Sequence, residues 1–350
     1  MTPGNLLKSF YEWRELKQPL VLASVFETEG STYSKAGARM IINSEGDFQG
    51  MLSGGCLEGD LAERARAVLD SGKAQTVTYD LGVDDEELWG LGVGCDGLMR
   101  IFLQPLLAEH DYAPFEAIAR AYEGDQREIA VTVLESDDIE HGATLVTSGD
   151  TAVNFNLTDD QANVLLAEAK AALAGKASLT ASVQVGNGDA TILLALLNPR
   201  VRLLVLGAGL DAEPMTRLAD ELGWRVSVVD HRPGYIESGK FDKAEEVICC
   251  AVEDMSRHVD LSKFDAAIVM SHHLTSDRKY LEHLSESEVS YVGLLGPKDR
   301  RRRLLAELGD AGAALDGRLH GPAGLDIGAV GPAAIALSIL TEMYSVLSVR

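Results

Sequence analysis

Lysine and arginine are scarce in this 350-residue sequence: 31 of them face 54 aspartates and glutamates, a formal net charge of −23 with histidine neutral. Affinity for nucleic acid rests on neutralising phosphates with a basic face, so a general nucleic-acid binder is excluded. Cysteine is scarce as well. Cys56, Cys95, Cys249 and Cys250 are the whole set, with no CxxC pair among them. That excludes a disulfide scaffold in a chain this long and points to reduced thiols in a cytoplasmic setting. No apolar run reaches the roughly 20 residues that span a bilayer. The longest, residues 332–347, stops short, so no membrane segment is expected. Residues 1–16 spread Lys8, Glu12, Arg14 and Glu15 through an amphipathic pattern that lacks the apolar run and cleavage site of a signal peptide, so export is not expected either. Internal repeats and low-complexity tracts are also missing.

What is present is globular: 46% hydrophobic and 24% charged residues, enough to build cores in two domains. Residues 1–197 carry short runs punctuated by glycine, whereas residues 201–350 alternate β-rich runs with helical patterns in the βαβ manner. The expected fold is α/β: an N-terminal α+β domain over residues 1–197, then a Rossmann-like doubly wound parallel-sheet domain over residues 198–350. The seam falls at Asn198-Pro199-Arg200, because proline disfavours helix at the residue before it. In the first domain, strands are expected at residues 20–26, 38–42, 75–79, 98–103, 129–134, 144–147 and 179–185, with helices at 57–69 and 159–173. Glu58 and Asp60 fall in the first turn of the 57–69 helix, where the helix dipole favours negative charge. Cys56 then lies at or next to that helix's N-terminus.

In the second domain, residues 201–206 (VRLLVL) form a continuous apolar strand and Gly207-Ala208-Gly209-Leu210-Asp211-Ala212 opens a helix running to about residue 222. The next strand, 225–229, ends in Asp230, 23 residues after Gly207. This matches the dinucleotide-binding fingerprint in its strand, turn, helix, strand context. Gly207 permits the tight turn, Gly209 lets backbone approach a phosphate, and Ala212 allows close helix-to-sheet packing. Asp230 is the residue expected on a free ribose hydroxyl, which favours NAD over a 2′-phosphorylated nucleotide. Further strands are expected at residues 246–251, 266–270 and 290–295. A Rossmann-like turn kept only for packing is the alternative to nucleotide binding.

Two cysteines sit inside glycine: Ser53-Gly54-Gly55-Cys56-Leu57-Glu58-Gly59-Asp60 and Gly92-Val93-Gly94-Cys95-Asp96-Gly97. Flanking glycines bare the backbone so that a bulky group can approach the sulfur, and a helix N-terminus favours the thiolate at Cys56, a nucleophile or soft-metal ligand. The plainer reading is two small buried hydrophobes in tight turns. Zinc fits less well, since no histidine lies near either cysteine in sequence. Cys249 and Cys250, in VICCAV, are expected to pack in the core. His272 and His273 follow a strand at the end where open α/β sheets bind ligands. Lys298-Asp299-Arg300-Arg301-Arg302-Arg303 begins a helix, which makes Lys298 and Arg300 candidate anion contacts; at least two of its four arginines are expected to be solvated and paired with local acids. The helix at residues 332–347 has Glu342 as its one charged residue and is expected to be buried in the core or at an interface between subunits, with Pro332 at its first position.

Taken together, segments 29–42 (EGSTYSKAGARMII), 53–60 (SGGCLEGD), 85–97 (DEELWGLGVGCDG), 201–233, 291–303 and 319–340 resemble the XdhC/CoxI family, maturation factors of xanthine dehydrogenase and related molybdenum hydroxylases. The resemblance covers both domains in order. It implies a cytoplasmic chaperone, not an enzyme, that binds and protects molybdenum cofactor (molybdopterin) and hands it to a xanthine dehydrogenase-like client after a cysteine desulfurase has supplied the terminal sulfur. Cys56 and Cys95 match the family cysteines and are the candidate molybdenum contacts, with Gly54 and Gly55 baring the backbone beside the first. The residues suit that role, because soft thiolates match a soft, sulfur-rich metal centre better than carboxylates do. A homodimer is expected. The competing class is an NAD-dependent oxidoreductase using Gly207, Gly209 and Asp230, but no Tyr-x-x-x-Lys or His/Asp pair for hydride transfer accompanies the fingerprint.

Overall fold

The computed structural model describes residues 3–80, 97–186 and 188–347. The chain divides into two compact units between Pro199 and Arg200.

The first unit runs α1 Gly4–Glu15, β1 Leu20–Gly30, β2 Arg39–Asn43, β3 Phe48–Gln49, α2 Glu58–Ser71, β4 Gln75–Asp80, β5 Gly97–Leu106, α3 Phe115–Glu123, β6 Glu128–Ser136, β7 Thr144–Ser148, β8 Thr151–Phe155, α4 Asp159–Ala172, β9 Leu179–Val185 and β10 Gly188–Leu197. Its strands make two antiparallel five-stranded sheets, ordered β3-β2-β1-β5-β4 and β8-β7-β6-β10-β9. Successive side chains of a strand point to opposite faces, and both faces of β1 are buried. Val21, Ala23 and Val25 meet Leu61, Ala65 and Val68 of α2. Leu20 and Leu22 meet Phe10 of α1 and Phe115 and Ile118 of α3. Phe26 and Phe102 of the first sheet join Leu134, Leu193 and Ala195 of the second. On that sheet's far face, Ile192 and Leu194 pack under Leu165 and Ala169 of α4. A capping box starts α4: Thr158 Oγ1 accepts from the Gln161 N–H while the Gln161 side chain accepts from the Thr158 N–H.

The second unit runs β11 Arg202–Leu206, α5 Ala212–Glu221, β12 Arg225–Asp230, α6 Pro233–Ser238, β13 Glu246–Cys249, α7 Met255–His258, β14 Ala266–Val269, α8 Leu274–Ser285, β15 Tyr291–Leu294, α9 Lys298–Leu308, α10 Asp310–Ala314, β16 Leu319–His320 and α11 Pro332–Leu347. Its six strands are parallel, in the order β13-β12-β11-β14-β15-β16. Short apolar strands buried on both faces are what a parallel sheet covered by helices demands. Strand order reverses between β11 and β14, which opens a crevice at the carboxyl ends of those two strands.

Two expectations need correction. The strand over VICCAV ends at Cys249, and while Cys250 is buried, Cys249 is exposed rather than packed in the core. Nor is α11 buried all round. Ala336, Ile339, Leu340 and Met343 enter the core against Met215 and Ala219 of α5, whereas Leu337 and Tyr344 are about half exposed, Tyr344 lying parallel to the Trp224 ring. The helix is one-sided because one face packs on α5 and the other is only partly covered. Among the described residues no helix is long and apolar enough to cross a membrane.

Truncating Ile339 or Met343, each 0% exposed, to alanine should cost about 2–5 kcal/mol of unfolding free energy through lost burial and a cavity. Leu337→Ala should cost about 0.5 kcal/mol or less. Denaturant unfolding of the three variants checks the assignment, and equal losses would place both faces of α11 under cover.

Candidate functional site

In the first unit the glycine-cysteine segment 53–60 forms the loop entering α2, with Leu57 as N-cap and Cys56 just before it, partly exposed. Gly54 and Gly55 adopt φ of +83° and +110°, conformations that side chains rarely take. The loop's shape is set by Glu58, the first residue of α2, which is 2% exposed. Its Oε1 accepts from the N–H groups of Leu52 and Ser53, both at 2.9 Å, and its Oε2 from the Gly55 N–H at 3.0 Å and the Ser53 hydroxyl at 2.5 Å. Ser53 Oγ in turn accepts from the Leu57 N–H at 2.8 Å. Burial works to raise the Glu58 pKa, but the Ser53 hydroxyl and the converging backbone N–H groups outweigh it and hold the carboxyl below its ordinary value. One buried carboxylate therefore closes the loop that carries Cys56.

Neighbouring segments meet there. Tyr33, 62% exposed, stands over Gly54, where a Cβ would lie 3.3 Å from its ring. The Ser34 hydroxyl donates to the Met51 carbonyl. Gly97, which opens β5, pairs with Gly30 at the end of β1, and a Cβ on it would fall 2.6–2.7 Å from Ser31, Glu29 and Thr32. The segments 29–35, 51–58 and the start of β5 thus share one end of the first sheet. Cys95 lies outside the described residues, two positions before Gly97. A cavity of about 1320 Å³, lined by Gln104, Glu116, Arg120, Glu128, His141 and Thr147 among others, sits at the far end of β5, roughly 30 Å along that strand, and does not include Cys56. Among the described residues no three His, Cys, Asp or Glu side chains cluster as metal ligands.

In the second unit the crevice at the sheet's reversal is built on Gly207–Leu210 after β11 and on Ser271–His273 after β14. At Gly207, φ is +123° and a Cβ would lie 2.7 Å from Met270 and Ser271 backbone, so glycine is required there by the protein itself. Gly209 differs: a Cβ there would meet only the His272 ring, at 3.8 Å. The space above Gly209 is open. Ala212, the first residue of α5, is fully buried, as close packing of that helix on the sheet requires. His272 adopts φ of +59° and its Nε2 lies 2.8 Å from Asp211 Oδ2, bridging the two lips of the crevice. His273 instead caps α8, its Nδ1 accepting from the Ser276 N–H.

Asp230 is 0% exposed, and its carboxylate faces the protein. Oδ2 accepts from the Ala208 N–H of the glycine turn at 2.7 Å and from Arg232 Nη2 at 2.7 Å; Oδ1 accepts from the Arg232 N–H and Nε, both at 2.9 Å. Burial acts to raise its pKa, but the Arg232 guanidinium and the backbone donors more than offset that and keep it low. In this conformation Asp230 holds the turn and positions Arg232, and it offers no free oxygen to a ribose. Arg300 is likewise committed: its Nε and Nη2 bind Asp277, 0% exposed, which also accepts from the Ser271 hydroxyl. Gly296, at φ +130°, leaves room for the Arg300 chain, which a Cβ would meet at 2.6 Å. Arg302 and Arg303 pair with the local acids Asp299 and Glu307, as a solvated helix face should. Lys298 is exposed and has no ion pair among the described residues.

Glu58, Tyr33, Arg232 and Asp277 are the residues that sequence reasoning did not assign to these sites. Only Glu58 left a trace, as an acid in a helix's first turn; Tyr33 and Asp277 depend on contacts distant in sequence, and Arg232 on which way the buried Asp230 faces.

These features define a two-domain protein in which a glycine loop presents a cysteine from an antiparallel domain and a Rossmann domain follows with its turn and crevice intact. Residues 203–343 match the model of the XdhC Rossmann domain, and residues 13–80 that of the XdhC and CoxI family. Over 342 residues, 97% of each chain, the sequence is 31% identical to a protein of Bacillus subtilis (strain 168) named as a probable xanthine dehydrogenase subunit. It is 22% identical over 328 residues, 93% of this chain and 83% of the other, to the molybdenum cofactor insertion chaperone PaoD of Escherichia coli (strain K12). A crystal structure described as a xanthine dehydrogenase from Bacillus halodurans shares the fold with a TM-score of 0.80 at 29% identity, covering 100% of this chain and 97% of that one. The chain belongs to the XdhC and CoxI family.

Glu58→Ala should strip the acceptors from three backbone N–H groups and cost about 2–4 kcal/mol at neutral pH. The sign of the pH dependence follows from the lowered pKa. The ionised carboxylate's contribution is fully present above the ordinary glutamate range, near pH 4.3, and is lost as pH falls through the folded-state value. The stability gap between the unsubstituted protein and Glu58→Gln should therefore be wide at pH 7 and shrink at about pH 3; a gap that does not change with pH would mean that Glu58 is not held as a carboxylate.

Proposed function

We propose that this protein is a carrier for molybdenum cofactor: it binds the molybdopterin, protects it, and assists its sulfuration and insertion into a xanthine dehydrogenase-like molybdenum hydroxylase without turning over a substrate of its own. The observation that carries this reading is Cys56, partly exposed on a bare glycine loop at a helix N-terminus, with the loop's shape fixed by a buried carboxylate. A thiol presented on a loop suits a cargo whose metal already holds most of its own ligands, whereas a resident metal needs several protein donors of its own. The similarity to PaoD, named as a cofactor insertion chaperone, supports the same reading.

In this reading Gly54 and Gly55 keep the approach to the sulfur clear, Tyr33 offers an exposed ring beside it, and Cys95 is the second thiol contact. In the Rossmann unit, Gly209 and the N–H groups of the turn are an anion cradle for a terminal phosphate or a nucleotide such as NAD, with Lys298 as a cation on the same edge of the sheet. His272 is the group such a ligand meets first. The partners are the hydroxylase client and a cysteine desulfurase, which places the work in the cytoplasm, and a homodimer can use the exposed Leu337 and Tyr344 of α11 as contact.

The test is to purify the protein from cells that make molybdenum cofactor and to measure bound molybdenum and pterin per chain. Cys56→Ser should lose most of both while keeping the same thermal unfolding midpoint, and Cys95→Ser should retain a reduced amount. Full occupancy in both variants would refute the thiol contact.

A further inference from the structure

We infer that the Rossmann unit binds a nucleotide whose adenosine ribose carries a 2′-phosphate, of the NADP class, and that Arg232 is the residue that selects it. The inference rests on the reading of the glycine turn as a phosphate cradle and goes beyond it by naming the nucleotide.

At the end of the second strand of a Rossmann sheet, an exposed carboxylate bonds the ribose hydroxyls of NAD and repels a phosphate there, whereas an arginine nearby accommodates one. The sequence places Asp230 at that point, but its side chain is 0% exposed and its oxygens are taken by the Ala208 N–H and by Arg232. The group that reaches outward is Arg232, whose side chain is 28% exposed. Nε and Nη2 are committed to Asp230, leaving Nη1 with no partner among the described residues. The guanidinium lies 3.9 Å from the centre of the Tyr235 ring, and Tyr235 is 45% exposed. A fork fixed on one side by a buried acid and below by an aromatic ring is already ordered, so little conformational freedom is lost when it binds a phosphate. A further observation is Gly209, which leaves a space above the turn that its own protein does not fill.

The experiment is calorimetry of the full chain with NADP, NAD and 2′,5′-ADP. NADP should bind at least about tenfold more tightly than NAD, a difference of about 1.4 kcal/mol, and 2′,5′-ADP should compete with it. Arg232→Ala should bring the two dinucleotides within about twofold of each other. Because removing Arg232 also uncovers Asp230, Tyr235→Ala is the second variant; it leaves the ion pair in place and should reduce NADP affinity severalfold with little effect on NAD. NAD binding as tightly as NADP in the unsubstituted protein would overturn the selection by Arg232 while leaving the turn as a phosphate cradle. No binding of any of the three would overturn both readings. Gly209→Val separates the two further, since it should abolish both dinucleotides, and NADP binding unchanged by it would place the nucleotide elsewhere.

Discussion

A glycine-rich turn exposes N–H groups and has no side chains to answer them, and a buried N–H left without an acceptor is costly. In both units of this protein that demand is met by one buried carboxylate. Glu58 gathers the N–H groups of Leu52, Ser53 and Gly55 around the cysteine loop. Asp230 takes the Ala208 N–H of the Rossmann turn. Each acid is ionised where it is buried because its donors converge on it, and each converts a flexible glycine stretch into a fixed one. The cysteine loop and the Rossmann turn are held in place for the same physical reason.

That mechanism also explains what could be read from the sequence. The Rossmann unit was legible nearly strand by strand, since continuous apolar runs such as VRLLVL, separated by a glycine turn and helical spacing, admit few other folds. The strand Gly188–Leu197 was not assigned, although it is central to the second antiparallel sheet, because ILLALL is a continuous apolar run without alternation, a pattern that periodicity alone does not separate from buried helix. β-Strand pairing is long-range, and the short edge strands Phe48–Gln49 and Thr151–Phe155 exist only because β2 and β7 are there to pair with them.

The site was legible in its residue types and not in their allegiances. Cys56 stands where a helix N-terminus was expected, and Gly207 turns as the fingerprint requires. Asp230 and Arg300 carry the right charges for ligand contacts, yet both direct them inside the protein. Spacing cannot tell an acid facing a ligand from one facing its own turn, because that is decided by which donors fold back onto it: Arg232 two residues on for Asp230, and Asp277 of a neighbouring helix for Arg300. Cys249 shows the same limit, since its apolar run belongs to an edge strand that ends two residues earlier than expected and leaves this thiol exposed.

The excess of acidic residues makes this internal pairing consequential. In a chain of net charge −23, diffuse attraction of an anion is not available, so any phosphate must be recognised by fixed donors at short range. An arginine clamped to a buried aspartate contributes little net charge, but it contributes N–H groups with a set direction. Arg232 and Arg300 are both held in this way at the carboxyl edge of the parallel sheet, one by Asp230 and one by Asp277. What such a pair supplies is therefore fixed geometry more than charge, and donors fixed by buried acids are screened less by salt than a loose lysine is.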